Sequence, residues 1–444
     1  MQCVTSDRYL QKILGNGEYF DFSRLMCGLT MLCIALAIFV IHNLVKREDI
    51  KYLCVCVLPF HMCFALSNYW QTWPLRVLWP ITVLAWLTAL IYIRNTQGKF
   101  WLLVYKYRHL ISWGILTAAF LWNKESGVVC FMGWCTFCFC ENFLGNRNLK
   151  KLCLVIVQCL FMSTSIVAAF CIVGMYNLIV SGKWITWEIF LFPLGEGSYM
   201  EALQVGLKRG IWPWMINTIL FLITFSVSAL KVSLNSQRAE WKMYATTATI
   251  GLGLMIYFVN RPAYFNMDLC FFQSIICMGG MASMRENSQN WITPLKTVRW
   301  FTMLILVALF WGNIIQGFDT TQLKFEKGSF YRGDILALKD SIEREIPKYT
   351  YAFGVNIPEL YSLLGWNTGS MMIDWPDAGI IHDKVEEKIL RDLEVEELVL
   401  TDKEVLGGRV QVDDRIRNTI ESNYNLIKTY YYNENVEFYL WKRK

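Results

Sequence analysis

Long apolar stretches alternate with short polar connections over the first 316 residues of the chain. Each stretch approaches the roughly 20 apolar residues that a helix needs to cross the hydrocarbon core of a bilayer. The pattern predicts about ten membrane-spanning helices, at 24–45, 51–69, 75–93, 107–122, 126–141, 152–180, 211–230, 242–259, 264–284 and 298–316. We therefore expect an α-helical polytopic membrane protein, embedded in a lipid bilayer.

The pattern changes after Phe318, where charged residues become dense and helical periodicity alternates with short β-rich runs. A helix that ends before Pro347 opens this part. Strands are predicted at 349–353, 397–401, 426–432 and 436–441, and further helices at 358–364, 385–393 and 413–422. These elements predict a small C-terminal α/β domain. The expected organisation is an external N-terminal segment (1–23), a transmembrane domain (24–316) and a soluble domain (317–444).

Lys and Arg are concentrated in alternate connections between the apolar stretches. The intervening connections near 70–74, 123–125 and 260–263 are nearly free of them. The positive-inside rule places the basic connections in the cytoplasm, so both termini and the sparse connections are expected outside. No Asn-x-Ser/Thr sequon occurs, which mildly favours a bacterial plasma (inner) membrane. The C-terminal domain is then extracytoplasmic.

Composition excludes some classes of function. The net charge of +6 is explained by the cytoplasmic connections, so no nucleic-acid partner is expected. All 15 cysteines lie at or before Cys277, which leaves the C-terminal domain without a disulfide framework. Cys135, Cys138 and Cys140 lie in an apolar segment, where packing is favoured over metal binding. We expect no metal and no cofactor.

The predicted external turn Trp122-Asn123-Lys124-Glu125-Ser126-Gly127 carries two unusual charges. A charged side chain at the bilayer centre costs about 2.5–3.5 kcal/mol on insertion scales. Neighbouring residues on a helix point about 100° apart, so Lys124 and Glu125 are not expected to pair with each other. At least one should face another group, such as a phosphate. A polar turn at the water interface is the alternative.

Two further external turns combine an aromatic residue, a proline and an arginine, in Trp73-Pro74-Leu75-Arg76 and in Tyr257-Phe258-Val259-Asn260-Arg261-Pro262. Arginine can hold a phosphate through two parallel hydrogen bonds. An interfacial anchor is the alternative for each arginine. An interfacial belt is likewise favoured over sugar stacking for the nearby tryptophans Trp70, Trp73 and Trp79.

Three acidic residues, Asp7, Glu18 and Asp21, precede the first predicted span. Asp7 is followed by the segment Gly17-Glu18-Tyr19-Phe20-Asp21, which places carboxylates at the outer mouth of the helical bundle. On this spacing alone, an exposed N-terminal tail is the favoured interpretation.

These features together resemble the GT-C superfamily of polytopic glycosyltransferases. The branch of protein O-mannosyltransferases and lipid A aminoarabinose transferases is the most similar. The resemblance covers nearly the whole chain in topology, through short motifs. It implies a polyprenyl-phosphate-linked sugar as donor, and a glycan, lipid or protein as acceptor. Asp7 falls where the family has its catalytic acid and Asp21 matches the second acid. Lys124, Glu125 and Arg261 fall where the family holds phosphate and sugar.

The chain departs from the family pattern at its beginning. Family members start with a membrane helix before the catalytic acid, whereas six residues precede Asp7 here. The Pro-Pro pair that often follows the second acid is replaced by Phe22-Ser23-Arg24. We expect either a start further upstream or a truncated, inactive member of the family.

The resemblance implies direct displacement at the anomeric carbon with inversion. Asp7 would accept the proton of the acceptor hydroxyl, while Arg261 and Lys124 stabilise the departing phosphate. Arg76 would join them as a substrate-binding residue. The main alternative is a transporter or flippase of lipid-linked or anionic solutes, which should show internal repeats. A polysaccharide ligase or polymerase is the other, with the connection 181–210 as its external loop.

Overall fold

The structure is a computed structural model. It describes residues 19–65, 74–94, 98–144, 148–191, 213–234, 239–260, 268–283, 299–309, 332–347, 350–354, 357, 360, 364, 372–374, 383–406, 414–431 and 437–444. The chain divides into two compact units. One is Met26–Thr321, and the other includes Gln322–Lys444. They are called here the helical unit and the C-terminal unit.

The described residues before 321 are almost entirely helical. The helices are α1 (Tyr19–Leu44), α2 (Glu48–Ala65), α3 (Leu78–Ile93), α4 (Lys99–Lys106), α5 (Arg108–Trp122), α6 (Lys124–Phe139), α7 (Leu149–Ser181), α8 (Trp187–Leu191), α9 (Pro213–Leu234), α10 (Ala239–Asn260), α11 (Phe271–Ala282) and α12 (Arg299–Leu309). A π-helical turn, Cys140–Leu144, extends α6. A 3₁₀ turn, Asp268–Cys270, precedes α11.

Each predicted span overlaps one of these helices in the part of the chain that the structure describes. Within the described residues, three helical segments are long and apolar enough to cross a membrane, namely Lys124–Leu144, Leu149–Ile179 and Trp214–Leu234. Four more apolar helices are shorter, at 28–44, 78–93, 271–282 and 299–309. The structure therefore supports a membrane-spanning helical protein. The count of about ten spans stays a prediction.

Glycines allow helices of this unit to approach closely. A Cβ atom added to Gly133 of α6 would lie 2.4 Å from Cγ1 of Ile250 in α10. A Cβ on Gly251 of α10 would lie 2.4 Å from the ring of Phe221 in α9. Small residues at such crossings are typical of membrane helices, because lipid gives helices no hydrophobic reason to associate and close packing must supply it.

Helix α4 lies in a stretch that the sequence pattern assigned to a connection. Residues 192–210 of the predicted external connection 181–210 lie outside the described residues. The predicted span 107–122 coincides with α5, which begins at Arg108, directly after α4.

The C-terminal unit contains a five-stranded sheet in the order β2-β1-β3-β5-β4. Its strands are β1 (Tyr351–Gly354), β2 (Met372–Asp374), β3 (Leu398–Asp402), β4 (Tyr424–Tyr431) and β5 (Glu437–Arg443). β1 is parallel to both β2 and β3. β5 is antiparallel to both β3 and β4. Four of the five strands coincide with predicted ones, and β2 was not predicted.

Helices cover both faces of this sheet. Helix α13 (Arg332–Glu345) supplies Leu338 and Ile342 to one apolar layer. Helices α14 (Asp383–Leu393) and α15 (Asp414–Asn423) supply Ile389, Ile416 and Ile420 to the other. Successive strand residues alternate between the layers, because side chains along a strand point to opposite faces. The result is a three-layer α/β arrangement.

Candidate functional site

The turn between α5 and α6 carries Lys124 and Glu125. α5 ends at Trp122, and Asn123 adopts an extended conformation with φ −152° and ψ 118°. The side-chain oxygen of Asn123 accepts a hydrogen bond of 2.8 Å from the backbone N–H of Ser126, which caps the new helix. Lys124 and Glu125 are therefore the first two residues of α6, where the helix end carries partial positive charge.

Arg76 reaches this turn from the segment before α3. Its Nη2 atom lies 3.8 Å from Oε2 of Glu125, with the two side chains 23% and 26% exposed. The hydroxyl of Ser126 donates to the Arg76 carbonyl at 3.1 Å. The indole N–H of Trp122 donates to the Leu75 carbonyl at 2.7 Å. Backbone contacts beside the ion pair thus fix its position.

The Arg76–Glu125 pair is loose. Its 3.8 Å separation exceeds the roughly 2.7–2.9 Å of a charge-assisted hydrogen bond. Both side chains remain partly exposed. The Glu125 carboxylate can therefore exchange one hydrogen-bonding partner for another without first breaking a short bond to Arg76.

The side chain of Lys124 contacts a different part of the helical unit, helix α8. Its Nζ atom lies 4.6 Å from the ring centroid of Phe190 in α8, an arrangement in which the ring face attracts the cation. Phe190 packs edge-on against Phe170 at 5.5 Å, and Phe170 stacks on Trp187 at 3.9 Å. No carboxylate in the described part of the chain forms an ion pair with Lys124.

Lys124 and Glu125 thus have separate partners, as their adjacent helical positions require. Both partners are protein groups, namely the Phe190 ring and the Arg76 guanidinium. That either residue faces a phosphate stays a prediction. The three side chains of Arg76, Lys124 and Glu125 together carry one net positive charge, which favours an anion beside them.

Helix α10 runs antiparallel to α6. Near one end of the pair, Gly253 faces Val129. Further along, the hydroxyls of Thr136 and Thr249 are 3.2 Å apart. This register brings the last residue of α10, Asn260, to the end of the unit where α6 begins.

The remaining predicted site residues are less defined. Arg261 follows Asn260 and lies outside the described residues, as Asp7 does. Asp21 falls in the first turn of α1, where side chains are not described. Of the predicted set, the structure brings together Arg76, Lys124 and Glu125.

A second charged cluster lies at the opposite end of α6. Glu141, in the π-helical turn, accepts from Arg94 at 3.1 Å and from Lys242 of α10. The Lys242 side chain is only 7% exposed. Sequence reasoning assigned both cations to basic connections and did not single out Glu141. The sequence does contain a signal for this residue, since Glu141 is the single carboxylate in the apolar stretch 126–141 and lies at its end.

The C-terminal unit has a topological switch point between β1 and β3. The chain adds β2 on one side of β1 and β3 on the other, and ligands of parallel α/β sheets bind at the carboxyl ends of strands at such a point. Here β1 ends at Gly354 with φ +152°, and β3 ends at the fully buried Asp402. A Cβ on Gly354 would lie 2.6 Å from Cγ of Asp402.

A hydrogen-bonded carboxylate, Glu437, lies at the same end of the sheet, because β5 begins beside the carboxyl end of β3. The hydroxyl of Tyr439 donates to Glu437 at 2.6 Å, and Lys403 donates to it at 3.2 Å. These bonds from Tyr439 and Lys403 lower the pKa of Glu437, because they favour its ionised form.

Among the described residues, no three His, Cys, Asp or Glu side chains are grouped so that they could hold a metal ion. Cys135, Cys138 and Cys140 are free thiols.

Comparison with known proteins gives no assignment. No protein family matches the chain. No curated protein matches it at a significant level either. The candidate site therefore rests on the geometry of Arg76, Lys124 and Glu125.

Proposed function

We propose that the chain is a membrane glycosyltransferase that moves a sugar from a polyprenyl-phosphate donor to an extracytoplasmic hydroxyl, with inversion. The supporting observation is the loose Arg76–Glu125 ion pair with Lys124 beside it, at one end of a unit with membrane-length helices. Charged residues at membrane depth are costly and usually mark a binding pathway.

The three side chains suit the two halves of such a donor. A phosphate is a bidentate acceptor for the guanidinium of Arg76, whose contact with Glu125 is 3.8 Å long. Lys124 rests on an aromatic ring, so its ammonium retains donors for a second phosphate oxygen. The Glu125 carboxylate would then accept hydrogen bonds from sugar hydroxyls. Arg261 directly follows α10, which ends at the same end of the unit.

The proposed reaction is a single displacement. The acceptor oxygen forms a bond to the anomeric carbon as its proton passes to the carboxylate of Asp7. The bond between that carbon and the phosphate oxygen breaks, and the electron pair leaves with polyprenyl phosphate. Lys124 and Arg261 stabilise the charge that develops on the leaving oxygen.

Binding of undecaprenyl phosphate to the full chain in nanodiscs tests the site. We expect Lys124→Gln to weaken this binding at least tenfold. Lys46→Gln is the matched control, because Lys46 pairs with Glu240 at the other end of the unit and its loss changes net charge equally. Equal binding by the two variants would overturn the site.

Transfer itself requires a second assay. A panel of undecaprenyl-phosphate sugars carrying a labelled sugar is incubated with the protein and bacterial envelope acceptors. We expect label in a non-lipid product and release of undecaprenyl phosphate, both abolished by Asp7→Asn. Movement of intact donor across the bilayer without its consumption would instead favour the flippase, the second candidate function.

A further inference from the structure

Helix α4 (Lys99–Lys106) is an exposed apolar helix. It lies between α3, which ends at Ile93, and α5, which begins at Arg108. None of its residues is buried. Four successive large apolar side chains are between 43% and 65% exposed: Phe100, Trp101, Leu102 and Leu103. A contiguous patch of this kind marks an interaction surface.

The charge around α4 has a single sign. No Asp or Glu occurs between Arg94 and Leu110. Lys99 and Lys106 are seven residues apart, so they share one edge of the helix to within about 20°. Arg108 follows directly, and its guanidinium lies 4.3 Å from the ring centroid of Tyr105.

These three cations differ from their neighbours at the same end of the unit. Lys46 pairs with Glu240 and Lys51 with Glu48, while Arg94 and Lys242 share Glu141. In contrast, no described carboxylate pairs with Lys99, Lys106 or Arg108. Their positive charge is uncompensated within the described part of the chain, and an external anion would complement it.

We propose that α4 lies in the membrane interface and binds anionic phospholipids. Phe100 and Trp101 lie about 100° and 200° around the helix from Lys99, and these two rings enter the boundary between headgroups and acyl chains, as the apolar face of an interfacial helix does. Lys99, Lys106 and Arg108 contact the lipid phosphates. Aromatic rings and basic side chains on one short helix are the combination that an acidic leaflet attracts.

A lipid surface is the partner because α4 carries both apolar and basic side chains and lies between two apolar helices, α3 and α5. The surface stays separate from the candidate site, since Arg94 and Glu141 belong to the end of α6 opposite to Lys124 and Glu125. The proposal therefore does not depend on the glycosyltransferase activity.

Native mass spectrometry of the full chain measures the proposed binding. The protein is purified from nanodiscs that contain phosphatidylglycerol and phosphatidylcholine with the same acyl chains. Each basic residue near an acidic leaflet contributes roughly fivefold in affinity. We expect Lys99→Gln/Lys106→Gln to weaken phosphatidylglycerol binding about 25-fold and to leave phosphatidylcholine binding unchanged.

Lys46→Gln/Lys51→Gln is the matched control. It removes the same charge at the same end of the unit, from two lysines that are already paired with Glu240 and Glu48. We expect a much smaller effect on phosphatidylglycerol binding. Equal losses in the two double variants, or equal binding of both lipids by the unmodified chain, would overturn the proposal.

The depth of α4 in the bilayer can be measured by photocrosslinking, independently of the charge variants. A photoreactive phenylalanine analogue replaces Phe100, and the protein is illuminated in nanodiscs. The proposal requires adducts with lipid acyl chains. Absence of lipid adducts, with efficient labelling at an exposed position of α7 such as Leu160 in the same preparation, would contradict an interfacial position.

Discussion

The indole nitrogen of Trp122 donates a 2.7 Å hydrogen bond to the carbonyl oxygen of Leu75, the residue before Arg76. This bond ties the end of α5 to the segment that carries the guanidinium. The Trp122 side chain thus controls the placement of Arg76 beside Glu125 by holding the backbone. In the proposed donor site, Trp122 is therefore a positioning residue.

Trp122→Phe keeps an aromatic ring but removes the donor. Loss of a hydrogen bond costs about 0.5–1.5 kcal/mol, so the fold should persist. We expect undecaprenyl phosphate binding to fall several-fold, because Arg76 is less well placed. Trp113→Phe is the control, since its indole bonds Thr164 at 3.0 Å. If the two variants weaken binding equally, Trp122 has no positioning role.

The second prediction concerns the cluster around Glu141. Glu141→Gln leaves the Lys242 ammonium, with a side chain only 7% exposed, without a carboxylate. Breaking a buried pair from one side costs about 3–5 kcal/mol. Lys242→Met should cost less, because Glu141 keeps Arg94 as a partner. Thermal unfolding in detergent measures both variants.

Glu240→Gln is the control for this cluster. It removes the partner of Lys46, whose side chain is 69% exposed, and exposed pairs contribute about 0–1 kcal/mol. A Glu141→Gln protein that melts no earlier than Glu240→Gln would show that Lys242 finds water or another acceptor.

The third prediction concerns helix packing. Gly133→Ala places a Cβ 2.4 Å from Ile250, whereas a Cβ on Gly114 meets no atom within 4 Å. Both glycines lie inside helices, where alanine has the higher helix propensity by about 1 kcal/mol. Gly114→Ala should therefore raise the melting temperature or leave it unchanged, and Gly133→Ala should lower it. A Gly133→Ala protein that is as stable as Gly114→Ala would contradict the close crossing of α6 and α10.

The fourth prediction concerns the carboxyl ends of β1 and β3. Gly354→Ala should destabilise the C-terminal unit, because φ is +152° and the new Cβ would lie 2.6 Å from the Asp402 carboxyl carbon. In an Asp402→Ala background the steric part of this cost disappears and only the backbone strain remains. A double-mutant cycle followed by amide hydrogen exchange in β1 measures the coupling. Additive effects would show that the two residues do not touch.

The fifth prediction is a pH dependence. Glu345 accepts hydrogen bonds from Lys428 at 2.5 Å and from Tyr430 at 2.8 Å, which lower its pKa. The folded state therefore favours the ionised carboxylate. This contribution is complete above the unfolded pKa of about 4.3 and is lost as pH falls through the lower, folded value. Exchange protection of β4, corrected for intrinsic rates, should decline over this acidic range.

Glu345→Gln is the test of that assignment. The glutamine cannot titrate, so protection of β4 in the variant should be lower at neutral pH and should change less on acidification. An unchanged acid response would assign the pH dependence to another carboxylate, such as Glu437.

The positions of the helices could be predicted from the sequence, because apolar runs and Lys/Arg spacing are local signals. The β3 strand was equally accessible, since Leu398-Val399-Leu400 is an apolar run in a charged region. β2 was missed because three residues are too few to show alternation. Its pairing with Ala352 and Phe353 is a tertiary contact.

The residues of the candidate site could be named from the sequence, but their pairing could not. The Arg76–Glu125 contact joins the segment before α3 to the beginning of α6, and no local pattern encodes that approach. Helix α4 was missed for another reason. Its eight residues are too few for a span, and two lysines made the stretch resemble a connection.

The length of α7 has a consequence for the bilayer itself. Its apolar segment of 31 residues measures about 46 Å at 1.5 Å per residue, against a hydrocarbon core of about 30 Å. Membrane helices seldom tilt beyond about 40°, and at that angle the segment would still span about 35 Å. Tilt alone does not bring the whole apolar segment within the hydrocarbon core. Either the bilayer is thicker around α7, or one end of α7 extends out of the bilayer. The Phe170–Trp187 stack packs α8 against α7 about three turns before its end, and beyond this stack Met175 and Ile179 stay exposed.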